Sequence, residues 1–143
     1  MFKIVINGSF DLIHFGHLSL FEHARNYANS YVYVLTDSDR RIKMLKGSQR
    51  PVNNSLTRIK LLESLRTVDR VDVFDSDKEL ADKIKIYQPD LMIKGSDYRN
   101  RPIIGQEHCA RIEFFDRIQG YSTTGIIDML GCLSGPKEQS AKL

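Results

Sequence analysis

The stretch Asn7-Gly8-Ser9-Phe10-Asp11-Leu12-Ile13-His14-Phe15-Gly16-His17 decides the reading of this chain. Just before it, Ile4-Val5-Ile6 is a short apolar run, as in a strand covered on both faces. Just after it, Leu18, Phe21 and Ala24 recur at helical spacing. A glycine-containing turn therefore joins a strand to a helix, with His14 and His17 at the helix entrance. The first N–H groups of a helix lack intrahelical partners and attract anions. The turn reads as the seat of a nucleoside triphosphate, both imidazoles facing its phosphates. A spacing of three puts the rings on one helical face. Gly16, between them, removes a side chain and lets a phosphate approach the backbone. Taken alone, two such histidines also read as surface or capping residues, or as a zinc pair. No His-Glu-x-x-His pattern accompanies them, and Asp11 is the one carboxylate just upstream.

Working outward, apolar runs at 2–6, 31–35, 71–74, 91–93 and 112–115 read as strands. Helical patterns cover 15–28, a short piece of the basic segment 40–51, a helix starting at Asn54 or Ser55, then 78–87 and 126–130. In the third of these, Leu56, Ile59, Leu62 and Leu65 form the expected apolar stripe and Arg58 falls off it. The 104–109 segment suits a short helix. Such alternation predicts an α/β fold, a doubly wound parallel five-stranded sheet. Ligands of such sheets sit beyond the carboxyl ends of the strands, at the topological switch point. There the chain places His14 and His17 after strand one, Lys94 to Asp97 after strand four, and Ser122 to Thr124 after strand five.

A chain of 143 residues suits one domain, expected over 1–131 with a flexible tail at 132–143. No apolar stretch approaches the roughly 20 residues of a membrane helix, and the N-terminus enters a strand rather than a signal sequence. The cytoplasm is the expected compartment, and Cys109 and Cys132 read as reduced thiols. A net charge of +3 is too small to argue for nucleic acid, but the clustered Lys and Arg suit small anionic substrates.

Gly8-Ser9-Phe10-Asp11-x-x-His14-x-Gly16-His17 resembles the signature of the cytidylyltransferase-like nucleotidyltransferases. A second stretch, Arg117-Ile118-Gln119-Gly120-Tyr121-Ser122-Thr123-Thr124, is similar to that family's basic-x-x-Gly-x-Ser-Thr-Thr motif. The resemblance reaches to about Leu130 and implies a Rossmann-like fold of the His-x-Gly-His type. Leu45-Lys46-Gly47-x-x-Arg50-Pro51-Val52-Asn53 and Lys94-Gly95-Ser96-Asp97-Tyr98 are similar to segments of the adenylyltransferases that make ADP-heptose from heptose 1-phosphate. Arg117 instead resembles the glycerol-3-phosphate cytidylyltransferases.

The resemblance implies transfer of a nucleoside monophosphate from ATP, or alternatively CTP, to a phosphorylated small acceptor, with Mg²⁺ accompanying the triphosphate and no dedicated metal cage. His14, His17 and Lys46 take the catalytic roles. Nucleotide contacts fall to Gly8, Ser9, Phe10, Gly16, Lys94, Gly95, Asp97, Arg117, Tyr121, Ser122 and Thr123. Asp11, Asp37, Lys43 and Arg58 fall to the acceptor side, Asp11 also being placed to orient a histidine or hold magnesium through water. No nucleic-acid or membrane partner is expected, and homodimers are usual in the resembled family. A reading from another class is a nucleotide-binding module without catalysis.

Overall fold

The computed structural model describes residues 1–116 and 118–133. Five parallel strands form one sheet: β1 (Phe2–Gly8), β2 (Ser30–Asp37), β3 (Arg70–Phe74), β4 (Leu91–Gly95) and β5 (Arg111–Phe115). Their order is β3-β2-β1-β4-β5, so the chain reverses direction across the sheet between β1 and β4. Val5 pairs with Tyr33 on one side and Met92 on the other. Five helices connect or follow the strands: α1 (Phe15–Arg25), α2 (Asp39–Lys46), α3 (Ser55–Glu63), α4 (Asp77–Tyr87) and α5 (Thr123–Leu133). Short 3₁₀ turns at Ser96–Tyr98 and Gln106–His108 interrupt the β4–β5 connection, the second within the segment expected to be a short helix.

Alternation along the strands divides the core into two layers. Ile4, Ile6, Val32, Val34, Leu91 and Ile93 face Phe21 and Ala24 of α1 and Leu62 of α3. Val5, Tyr33, Leu35 and Met92 face the other way, onto Leu80 and Ile84 of α4. Cap residues set the helix starts: Ser38 accepts from Arg41 N–H, Asn54 from Thr57 N–H and Ser76 from Glu79 N–H. α4 ends on Gln88 in the left-handed region, one residue before the proline that forbids continuation. No helix of the described residues is long and apolar enough to cross a membrane.

Three expectations need correction. α1 stops at Arg25 rather than 28, because the chain turns there to enter β2. α5 runs over Thr123–Leu133 rather than 126–130. Residues 134–143 lie outside the described residues. The third concerns α3, where Leu62 is buried and Ile59 and Leu65 pack against the core as expected, but Leu56 and Arg58 reverse their expected places. Leu56 is 65% exposed, whereas Arg58 is 0% exposed. The Arg58 guanidinium donates to Ser9 O (2.9 Å), Thr36 Oγ1 (2.7 Å), Asp37 O (2.7 Å), Asn53 O (3.0 Å) and Asp39 Oδ1 (2.7 Å). Every one of these partners is polar and close to a strand end or helix start. The buried charge is therefore neutralised and hydrogen-bonded on all sides, as burial demands.

Removing that guanidinium would orphan several buried carbonyls. Arg58→Ala is expected to lower stability by about 3–5 kcal/mol, read by urea denaturation, and Arg58→Lys to recover little because an ammonium lacks the planar fork.

Candidate active site

Two cavities open at the carboxyl end of the sheet, beside the switch point between β1 and β4. The first, of about 390 Å³, lies over β1, β2 and β4 and includes Asn7, Asp37, Arg41 and Lys94 in its wall. The second, of about 300 Å³, lies between the start of α1 and the start of α5 and includes His14, Arg50, Ser122 and Thr124. Ser9, His17, Leu20, Lys46 and Gly95 belong to both. A shared wall of that composition is where a group could pass from one occupant to the other.

The two imidazoles are locked together by the backbone of the turn. His14 caps α1: its Nδ1 accepts from Gly16 N–H (3.1 Å), while its own N–H donates to His17 Nδ1 (3.3 Å). Each ring uses Nδ1 as an acceptor, so each neutral ring carries its proton on Nε2. The rings stack with centroids 3.8 Å apart. Beneath them Phe10 presents its edge to His17 at 5.1 Å, from a backbone at φ 45°. Burial, with further contributions from His14 and Lys46, lowers the His17 pKa to about 3. His17 is thus a neutral N–H donor at ordinary pH, not an imidazolium. The expectation that Gly16 opens the backbone to a phosphate also changes. A Cβ at Gly16 would come within 2.9 Å of His14 Cε1, so the missing side chain makes room for the His14 ring itself.

Around this pair stand cations from three segments. Lys46, the last residue of α2, donates to Ser9 Oγ at 2.9 Å. Arg50 follows in the basic loop, joined to Pro51 by a cis peptide, and its Nη2 lies 3.4 Å from Thr124 Oγ1. That contact bridges the loop to the start of α5. There Ser122 Oγ accepts from Gly125 N–H (2.9 Å) and Thr123 Oγ1 lies 3.5 Å from Leu12 O. Ser122 is a helix cap, and its hydroxyl still borders the second cavity. Lys94 is 7% exposed. Its Nζ lies 3.3 Å from Asn7 Oδ1 and 4.0 Å from the centre of the Tyr98 ring. Burial lowers its pKa to about 8, against the pull of Asp37 and Asp97.

The structure gathers most of the expected residues. Gly8 and Phe10 line the first cavity, Gly16 and Tyr121 the second. Lys94 and Asp97, expected at the nucleotide, line the first cavity with Asp37 and not the second. A Cβ at Gly95 would fall 2.6 Å from Asp97 Oδ1, so this glycine lets the carboxylate fold back over β4. Asp11, Lys43 and Arg58 line neither cavity. Asp11 is 1% exposed and accepts from Val52 N–H and Asn53 N–H, both at 2.8 Å, so its carboxylate anchors the basic loop. Lys43 is exposed on the outer side of α2. Arg58 serves the internal network described above. Arg117 lies outside the described residues. The residues missed were Asn7, Arg41, Arg50 and Tyr98. All four lie inside the quoted motifs or the basic run. Only their convergence on one rim distinguishes them.

Two measurements check this geometry. Between pH 6.5 and 3 the unfolded chain binds a proton at His17 that the folded protein refuses. The contribution of His17 is therefore whole above 6.5 and lost as the pH falls, by at most about 1.4 kcal/mol per pH unit. Urea denaturation across this range should show a shallower acid slope in His17→Asn. Gly16→Ala should fold but displace His14, and a shift near 1 Å is expected to lower turnover about a hundredfold, read by steady-state assay.

A model of the Cytidylyltransferase-like family matches residues 5–128. The Bifunctional protein HldE of Campylobacter fetus is 39% identical over 127 residues, 89% of this chain and 27% of that protein. The protein of the same name from Helicobacter hepaticus is 40% identical over 129 residues, 90% of this chain and 26% of that protein. The chain therefore spans about a quarter of the length of these curated relatives. The crystal structure of a lipopolysaccharide core biosynthesis protein from Thermoplasma volcanium has the same fold, with a TM-score of 0.62 at 19% identity, covering 85% of this chain and 99% of that one. The match over most of the chain, falling on the same turn, loop and helix start that line the two cavities, means that this chain belongs to the cytidylyltransferase-like family of nucleotidyltransferases.

Proposed function

We propose that this protein transfers an adenylyl group from ATP to heptose 1-phosphate or a similar sugar phosphate, releasing pyrophosphate and forming a nucleotide-activated sugar. The observation that carries this reading is the shared wall of Ser9, His17, Lys46 and Gly95 between two cavities of unequal character. The second cavity, with its helix start and hydroxyls, suits the triphosphate. The first, larger and edged by Asp37 and Arg41, suits a polyhydroxylated acceptor. The similarity of the 45–53 and 94–98 segments to ADP-heptose-forming enzymes supports adenine and heptose. A homodimer in the cytoplasm is part of the same reading.

An acceptor phosphate is already ionised near neutral pH, so the reaction needs no strong general base. Its oxygen attacks the α-phosphorus in line. The bond from that phosphorus to the bridging oxygen breaks, and pyrophosphate leaves with the electron pair. Negative charge grows on the bridging oxygen. A neutral N–H from His17, the His14 imidazole N–H and the mobile Lys46 ammonium would stabilise it. Preorganisation of the imidazoles through the backbone means little rearrangement at that moment. Magnesium would come with the triphosphate. Among the described residues no group of three or more His, Cys, Asp or Glu could hold a metal, and Asp11 is engaged by the backbone. The ion's partners would then be phosphate oxygens and water.

The test supplies ATP or CTP with heptose 1-phosphate or glycerol 3-phosphate and measures pyrophosphate. Activity with ATP and the sugar phosphate is expected; activity confined to CTP would reject the adenylyl reading. His17→Ala should lower kcat about 10²–10³-fold with nucleotide binding nearly unchanged. Equal loss of both would favour a binding module without catalysis.

A further inference from the structure

Resting on the proposed transfer, we infer that Lys94 is the residue that holds the acceptor's phosphate in the first cavity. Two other cations line that cavity. Arg41 is committed: its Nε donates to Asp37 (2.8 Å), its Nη2 to Asp77 (2.6 Å), and it lies against the Phe74 ring. Lys46 is exposed and stands at the boundary with the second cavity, on Ser9. Lys94 differs from both. It is buried at the floor of the first cavity, and among the described residues it has no ion pair.

An ammonium removed from water and held by one amide oxygen and an aromatic face is under-compensated. A ligand that supplies the missing anion gains what the empty site lacks. Sugar hydroxyls are neutral, so within the acceptor only the phosphate can play that part. Position agrees with charge. Lys94 precedes Gly95, which lines both cavities, so a phosphate on Lys94 sits beside the wall that carries His17 and Lys46. There its free oxygen can face the α-phosphorus. The groups facing Lys94 are Asn7 at the end of β1, Asp37 at the end of β2, Arg41 of α2 across the cavity, His17 of α1, and Asp97 and Tyr98 of the turn after β4. The two carboxylates favour the protonated amine and burial disfavours it, leaving its pKa near 8. Acceptor capture should therefore weaken as pH rises through that value.

The experiment uses the full chain, with Lys94→Gln and Lys94→Arg. Pyrophosphate assays give the KM of heptose 1-phosphate and of ATP, and calorimetry gives sugar-phosphate binding without turnover. In Lys94→Gln, acceptor KM and Kd should rise at least about tenfold, with the KM of ATP changing less than about twofold. Lys94→Arg should restore part of the affinity and move the alkaline fall in acceptor kcat/KM beyond the wild-type position. If Lys94→Gln does not fold, the pH profile of Lys94→Arg decides: a profile identical to wild type overturns the inference. Equal rises in both KM values, or a change in thermal stability with acceptor binding untouched, overturns it as well and makes Lys94 a structural pin between β1 and β4. Lys94-dependent binding of the sugar phosphate without pyrophosphate release would instead reject the transfer reaction while keeping the acceptor contact.

Discussion

A buried guanidinium holds the catalytic end of this fold together. Arg58 reaches from α3 to the carbonyl of Ser9, the hydroxyl of Thr36, the carbonyls of Asp37 and Asn53, and the carboxylate of Asp39. Those partners belong to the turn after β1, the end of β2, the start of α2 and the loop before α3. Thr36 closes the set by donating to Ser9 O at 2.9 Å. Four connections that would otherwise drift at the sheet edge are thereby referred to one planar group. Such a group can satisfy several acceptors at fixed angles, which neither a lysine nor an apolar residue could do.

Asp11 does for the basic loop what Arg58 does for the strand ends. Its two oxygens accept backbone N–H groups from Val52 and Asn53, and its carbonyl accepts from the Asn53 side chain. The loop carrying Lys46 and Arg50 is thus tied to the same turn that carries the imidazoles. The histidines complete the frame by capping their own helix. Their Nδ1 atoms are fixed by backbone donors, which sets the tautomer of each neutral ring.

Away from the cavities, Arg40 pairs with Asp75, Arg25 with Asp69 and Lys78 with Asp82. Lys46 and Lys94 have no carboxylate partner among the described residues, and both line a cavity. A site for polyanions requires local positive charge left uncompensated by the protein itself.

Much of this protein was legible from residue order. Short apolar strand runs, capped helices and a glycine turn carrying His14 and His17 are local properties, set by backbone sterics and nearest-neighbour hydrogen bonds. The sheet, its parallel sense and the crevice at its carboxyl end follow from them. The site's membership was largely legible too, because family motifs hold residues such as Ser9, Lys46, Gly95 and Ser122. The errors have one cause. Arg58 was assigned to the acceptor because helical periodicity placed it off the apolar stripe, and a buried cation is revealed only by the acceptors that surround it. Asp11 looked like a ligand-facing carboxylate because the two N–H groups that occupy it lie some forty positions along the chain. Sequence by itself determined the elements and the chemistry available at their ends. Only the tertiary structure decided which charges are neutralised inside the protein and which remain for a ligand, since that depends on distances between segments that are remote along the chain.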